Sequence, residues 1–192
     1  MMRSRSSSSG GPTSFVTTET RITVESFDPS RHDRSGFSCG VPAMDRWFSA
    51  SISDQIKRNR LRVRCAVADD GTLVGFYGLA AHSVDPTSAG ALTSRRERHP
   101  IPAICLVALG TDVNWHGQGL GSALMADTLA RALSVSTDIG ATAVVLDVLD
   151  DAHHAERMAF YERLGFAPID PDQHPNRLFL SMKAIEAALA AS

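Results

Sequence analysis

The chain has 192 residues, 43% of them hydrophobic, enough apolar material for the full core of a single domain. A formal net charge of −2 excludes a global attraction to nucleic acid, so any such binding has to come from local clusters of basic residues. No apolar run approaches the ~18 residues of a membrane span, and Met1–Gly11 lacks the apolar centre of a secretory leader, so a cytoplasmic protein without a membrane partner is expected.

In chain order, residues 1–20 are rich in Ser, Gly and Thr, a composition that predicts a disordered tail. Arg21–Phe27 alternates as a first strand. Pro42, Met44, Trp47, Phe48, Ile52 and Ile56 then recur at helical spacing up to about Lys57. Val63–Ala68 and Leu73–Val84, joined by Asp69-Asp70-Gly71, predict a hairpin of strands two and three. A polar loop, Asp85–Pro100, leads to the apolar run Ala103–Asp112, a fourth strand buried on both faces. Gly110 in that run fits a bulge or a close backbone approach, with a plain packing glycine as the alternative. Leu120–Ser136 predicts a helix stopped by Gly140, and Ala143–Val148 a fifth strand parallel to the fourth. His153–Leu164 follows as a helix stopped by Gly165; Phe166–Ile169 and Arg177–Met182 close the sheet, and 184–192 forms a C-terminal helical extension. Cys39, Cys65 and Cys105 lack metal-ligand spacing, so neither a metal nor a disulfide is expected.

The segment His116-Gly117-Gln118-Gly119-Leu120-Gly121-Ser122 joins the fourth strand to the helix. Backbone N–H groups at a helix start lack intrahelical partners and lie at the positive end of the dipole, and glycines let a pyrophosphate approach them closely. A P-loop would place Lys and Ser or Thr after the last glycine, whereas Ser122-Ala123-Leu124 stands here. A dinucleotide loop would read G-x-G-x-x-G, and this one reads G-x-G-x-G. A tight strand-to-helix turn is the plain alternative. Downstream, Phe160-Tyr161 is either an aromatic pair of the core or, at Tyr161, a proton donor. Two basic clusters stand out, Lys57, Arg58, Arg60, Arg62 and Arg64, and Arg95, Arg96 and Arg98; each reads as a solvated surface or as a phosphate-backbone contact.

The glycine loop together with Phe160-Tyr161-Glu162-Arg163-Leu164-Gly165-Phe166 resembles the acetyl-CoA-binding core of the GNAT N-acetyltransferases. Phe37-Ser38-Cys39-Gly40, Met44-Asp45-Arg46-Trp47-Phe48, Gly75-Phe76-Tyr77-Gly78-Leu79 and Ile101-Pro102 are similar to the branch that serves as toxins of toxin–antitoxin pairs. The resemblance runs from about Arg21 to Met182. It implies an α/β (α+β) fold: one mixed, mostly antiparallel sheet of six to seven strands, splayed between strands four and five and flanked by about four helices, over residues 21–183. It implies acetyl-CoA as cosubstrate and no metal, with pantetheine on the edge of Leu109, Gly110 and Thr111 and the pyrophosphate on Gly117, Gln118, Gly119, Leu120, Gly121 and Ser122.

Tyr161 is then the acid that protonates the departing thiolate, since a phenol with pKa ~10 can donate to it. Glu25, Glu97, His82 and Asp147 receive no role as general base. The resemblance further implies acetylation of the α-amino group of aminoacyl-tRNA, translation inhibition, and RNA contacts from Arg58, Arg60, Arg62, Arg64, Arg95, Arg96 and Arg98. A cognate antitoxin of the ribbon-helix-helix type is expected, and a homodimer is possible. The alternatives are acetylation of a small amine or a protein amine, and a non-catalytic CoA-binding regulator. The pattern departs from the family at His116, where Gln or Arg is usual, and at Ala108, where Arg is common.

Overall fold

A computed structural model describes residues 11–16, 20–93 and 97–191. One eight-stranded sheet organises them, in the order β1-β2-β3-β4-β5-β6-β8-β7. The strands are β1 Thr13–Val16, β2 Arg21–Ser26, β3 Arg62–Ala68, β4 Leu73–Val84, β5 Ile101–Thr111, β6 Ala143–Asp147, β7 Ala167–Asp170 and β8 His174–Ser181. All neighbours are antiparallel except β5 and β6. Five helices flank the sheet: α1 Pro42–Ala50, α2 Ile52–Lys57, α3 Leu120–Ile139, α4 His154–Arg163 and α5 Met182–Ala190.

Local sequence accounts for most of these elements. Asp69-Asp70-Gly71 closes the β3–β4 hairpin with Gly71 at φ +86°, a left-handed value that glycine adopts without steric cost. Leu120, Leu124, Thr128, Ala132 and Ser136 repeat every four residues and form the buried stripe of α3. Gly140, with φ +73°, ends that helix. The strand-helix-strand unit β5-α3-β6 then places two parallel strands side by side.

Two expectations are corrected. The sheet has eight strands rather than six to seven, because Thr13–Val16, inside the segment predicted to be disordered, pairs with β2 from Thr13↔Val24 to Val16↔Arg21. Pairing with an open sheet edge satisfies the backbone of a segment too polar to form a core of its own. The single helix expected from Pro42 to about Lys57 breaks at Ser51 into α1 and α2. The C-terminal helix α5 buries Met182 and Ile185 in the main core beside Leu124 and Leu178.

The core is divided by the sheet. On one face α3 and α5 cover Ile22, Val24, Tyr77, Leu106 and Val144; on the other α1 and α2 cover Val63, Cys65 and Phe76. Phe48 stacks on Phe76 with ring centroids 3.8 Å apart.

Candidate active site

The site begins where two strands part. β5 pairs with β4 along its whole length, from Val84↔Ile101 to Gly75↔Thr111, but with β6 only at Ile104↔Val144 and Cys105↔Val145. Beyond Cys105 the edge of β5 from Leu106 to Thr111 turns away from β6, so its backbone groups face the gap. The register against β4 skips Val107, which makes this residue the bulge that bends β5. Gly110 is therefore not the bulge. A Cβ there would stand 3.0 Å from the Phe76 ring and 3.3 Å from the Cys39 Cβ, so Gly110 serves a close approach of the neighbouring side chains.

Hydrogen bonds hold a second wall against β5. The buried Asp112 carboxylate accepts from the N–H groups of Asn114 at 3.0 Å and Ser38 at 3.1 Å, and the Val113 N–H donates to the Ser38 carbonyl at 2.9 Å. Asp45, from the first turn of α1, accepts from the Ser38 hydroxyl and the Cys39 N–H, each at 2.8 Å. Burial alone would raise the Asp45 pKa, but the bonds from Cys39 and Ser38 outweigh it and hold the carboxyl below the usual range. Burial and the proximity of Asp45 push the Cys39 thiol up to about 11, leaving it protonated and a poor nucleophile at neutral pH.

At the end of β5 the glycine turn leads into α3. Gly117 and Gly119 take φ values of +76° and +80°. A Cβ at Gly117, Gly119 or Gly121 would meet nothing within 4 Å, so the space above the turn is open. Ala123 N–H bonds the Gly119 carbonyl, and the N–H groups of Leu120, Gly121 and Ser122 therefore precede the first helical bond and lack intrahelical partners. The Leu120 side chain is buried in the core, while its backbone stays at the turn. Gln118 turns its amide back to the Asn114 carbonyl at 3.1 Å. The His116 ring N–H donates to the Thr111 carbonyl at 3.0 Å, tying the turn to the end of β5. An open turn of free donors at a helix start fits a pyrophosphate.

The gap between β5 and β6 opens into a cavity of about 610 Å³ that reaches from His116 and Gly121 at the turn to Tyr161 on α4. Leu109, Gly110 and Thr111 line it, as do Cys39 and Met44. Tyr161 is half-buried, its ring edge-on to Phe160 at 5.3 Å and to Phe166 at 5.7 Å. Burial raises its pKa, against a smaller opposing effect of Arg157, so the phenol keeps its proton at neutral pH. Both Phe160 and Tyr161 pack partly against the core, yet both also line the cavity.

The basic residues divide. Arg58 and Arg60 are exposed on the turn between α2 and β3 and Arg62 at the start of β3, with Arg58 paired to Asp54 at 3.1 Å and Arg62 bonded to the Asn59 side chain. Arg64 is corrected: it is 4% exposed and donates to the Val24 carbonyl at 2.7 Å and the Gly11 carbonyl at 3.1 Å. α3 packs over it, so it belongs to no basic surface. Arg98 is exposed; Arg95 and Arg96 lie outside the described residues.

Neither Asp147 nor Glu25 is a free base. Asp147 takes both ends of the Arg177 guanidinium at 2.8 Å, and Glu25 bonds His32 and Arg31, each at 2.9 Å. Residue patterns did not reveal His153, Glu156 and Arg157 as lining of the cavity, because they join it only through the docking of α4. Cys39 and Gly40 were visible as a motif, without a role. Among the described residues no group of three or more His, Cys, Asp or Glu could hold a metal ion, and no helix is long and apolar enough to cross a membrane.

Comparison with known proteins gives a consistent set of relatives. The model of the acetyltransferase (GNAT) domain matches residues 62–168. The chain is 35% identical over 172 residues to the Sinorhizobium fredii protein called "Probable toxin TacT", covering 86% of this chain and 94% of that one. It is 34% identical over 143 residues to a Mycobacterium tuberculosis tRNA-acetylating toxin, covering 72% and 82% of the two chains. In structure it is similar to a mutant of the toxin AtaT solved with the C-terminus of the antitoxin AtaR and acetyl-CoA, at a TM-score of 0.73 and 23% identity, over 88% of this chain and 98% of that one.

Proposed function

The chain belongs to the GNAT acetyltransferase family, and from that premise we propose that it moves the acetyl group of acetyl-CoA onto the α-amino group of an aminoacyl-tRNA, stopping translation as a toxin held in check by an antitoxin. The observation that carries this reading is the single cavity joining an open glycine turn, a free strand edge and a protonated phenol.

In this reading the N–H groups from Gly117 to Ser122 hold the pyrophosphate of the cosubstrate, and the edge of Leu109, Gly110 and Thr111 holds its pantetheine arm. Bound acetyl-CoA supplies a thioester whose carbonyl carbon the acceptor amine attacks. A β5 amide near Leu109 to Thr111 donates to the carbonyl oxygen as it gains charge. Tyr161 donates its phenolic proton to the thiolate that departs, and the proton that the nitrogen sheds on becoming an amide returns to the phenol through water. Cys39, held protonated, is given no nucleophilic role in this reading, which takes transfer as direct from thioester to amine.

Two carboxylates line the cavity among the described residues, and each has a basic neighbour: Asp147 is paired with Arg177, and Glu156 lies 3.3 Å from the His153 ring. An α-amino group with pKa about 8 needs little help to lose a proton at neutral pH, whereas a lysine amine with pKa about 10 needs much. This favours an aminoacyl acceptor over a protein lysine. Of the arginines expected to meet RNA, Arg58, Arg60, Arg62 and Arg98 are exposed and available to its backbone. The antitoxin, of ribbon-helix-helix type, would engage the same basic surface, and two copies of the chain would assemble as a homodimer.

The test is incubation of the purified protein with labelled acetyl-CoA and bulk charged tRNA, followed by identification of the aminoacyl species that carries label. Label on the amino acid of one or a few tRNAs is expected. Label only on a small amine or on protein would replace the acceptor, and CoA binding without transfer to any amine would replace the enzyme by a regulator.

A further inference from the structure

A second cavity, of about 380 Å³, lies beneath the C-terminal half of α3 and shares no lining residue with the first. Its volume is within the range of small-molecule sites. Leu79 of β4 and Ile104 of β5 line it from the sheet side, and Val135 and Ile139 from the helix. These last two are exposed apolar residues one turn apart, Ile139 at 60%. The site begins about 16 Å along the helix axis from the glycine turn, eleven residues at 1.5 Å each.

Three arginines line the cavity: Arg62 is exposed at its rim and bonded to Asn59, while two guanidinium groups lie deeper against the apolar walls, Arg64 from β3 and Arg131 from α3. The Nε of each is buried without a hydrogen-bond acceptor among the described residues. Such donors are costly to leave unpaired. The charges are also unbalanced. Asp127 is the carboxylate beside Arg64, at 3.9 Å from its Nε, and the same oxygen already accepts from the Tyr77 hydroxyl at 2.6 Å. Glu25, which also acts on Arg64 through its charge, is committed to Arg31 and His32. Burial and the charge of Arg131 both press on Arg64 and lower its pKa. A like-charged pair, one member buried and the other half-buried, with spare buried donors beside an apolar hollow asks for an anion with an apolar body.

We propose that this cavity binds a small monoanionic amphiphile, a medium-chain carboxylate being the simplest, with its headgroup between Arg64 and Arg131 and its hydrocarbon against Leu79, Ile104, Val135 and Ile139. The site is independent of the acetyl-transfer reaction, and its failure would leave that reading untouched.

The experiment uses the full chain saturated with CoA, so that the first cavity is filled, and measures by calorimetry the binding of octanoate, 1-octanol and octylammonium. Octanoate should bind saturably and raise the melting temperature, as any ligand of the folded state does. The alcohol and the amine should bind at least about tenfold more weakly, given the strength of hydrogen bonds to charged groups. Arg131→Met keeps an apolar stem at a half-buried position and should weaken octanoate by about tenfold, leaving CoA affinity unchanged. Equal affinity for octanol and octanoate, no saturable octanoate binding at millimolar concentration, or octanoate affinity unaltered by Arg131→Met would each overturn the proposal.

Discussion

In the proposed reaction Tyr161 acts through one proton, and its burial keeps that proton in place. Tyr161→Phe retains the ring that packs on Phe160 and Phe166 and removes only the hydroxyl. Turnover is expected to fall by about 10²- to 10⁴-fold, the usual contribution of a general acid, with CoA affinity unchanged, as single-turnover kinetics and calorimetry would report. The pH profile follows from the direction of the shift. The protonated phenol is the working form, and burial raises its pKa above the ordinary value, so phenol-linked loss of kcat should begin only above pH ~10. Below that, kcat should climb as the acceptor amine loses its proton near pH ~8. A descending limb between pH 8 and 10 that vanishes in Tyr161→Phe would contradict this assignment. Cys39 provides the control for direct transfer. With its thiol pushed up to about 11, Cys39→Ala should retain turnover within a few-fold, and no acetylated cysteine should appear by mass spectrometry.

At the scale of elements, the turn before α3 and the loop before β5 both depend on glycine, for different reasons. Gly119 caps α3 in the left-handed region, φ +80°, with open space where a side chain would go. Gly119→Ala therefore meets backbone strain rather than a clash, about 1–2 kcal/mol, and a turn that relaxes away from this geometry should bind CoA roughly tenfold more weakly. Calorimetric titration of CoA against the variant checks this. Gly90 presents the opposite case: its missing Cβ would fall 1.8 Å from the Ile169 carbonyl oxygen of β7. Gly90→Ala must separate that loop from the sheet, with an expected loss of about 1–3 kcal/mol in a denaturant titration and little change in CoA affinity. The two variants thus separate binding from stability on neighbouring pieces of one chain.

At the scale of the whole molecule, a net charge of −2 leaves RNA attraction to a few exposed cations. Arg60→Ala combined with Arg98→Ala should lower the salt slope of tRNA binding by roughly 0.7–0.9 for each phosphate no longer neutralised. Substitution of Arg64 would instead unsettle the fold, since its guanidinium holds the Val24 carbonyl inside the sheet. Arg62 and Arg64 stand at alternate positions on the same face of β3, and residue pattern alone cannot tell them apart. α3, which comes from a distant part of the chain to lie over the second, decides which one is covered.

The local chemistry was legible because it depends on near neighbours. Three glycines before an apolar helix make a turn of free N–H groups, Asp69-Asp70-Gly71 makes a hairpin, and apolar spacing of two or four marks strand or helix. What tertiary structure alone decided are the pairings between distant segments. β5 leaves β6 after Cys105 and bulges at Val107 rather than Gly110, β1 adds itself to an edge, α4 brings His153 and Arg157 to the cavity, and Arg64 is buried. Each outcome depends on which backbone edges and side-chain volumes meet across the sheet, and that information is spread over residues far apart in the chain.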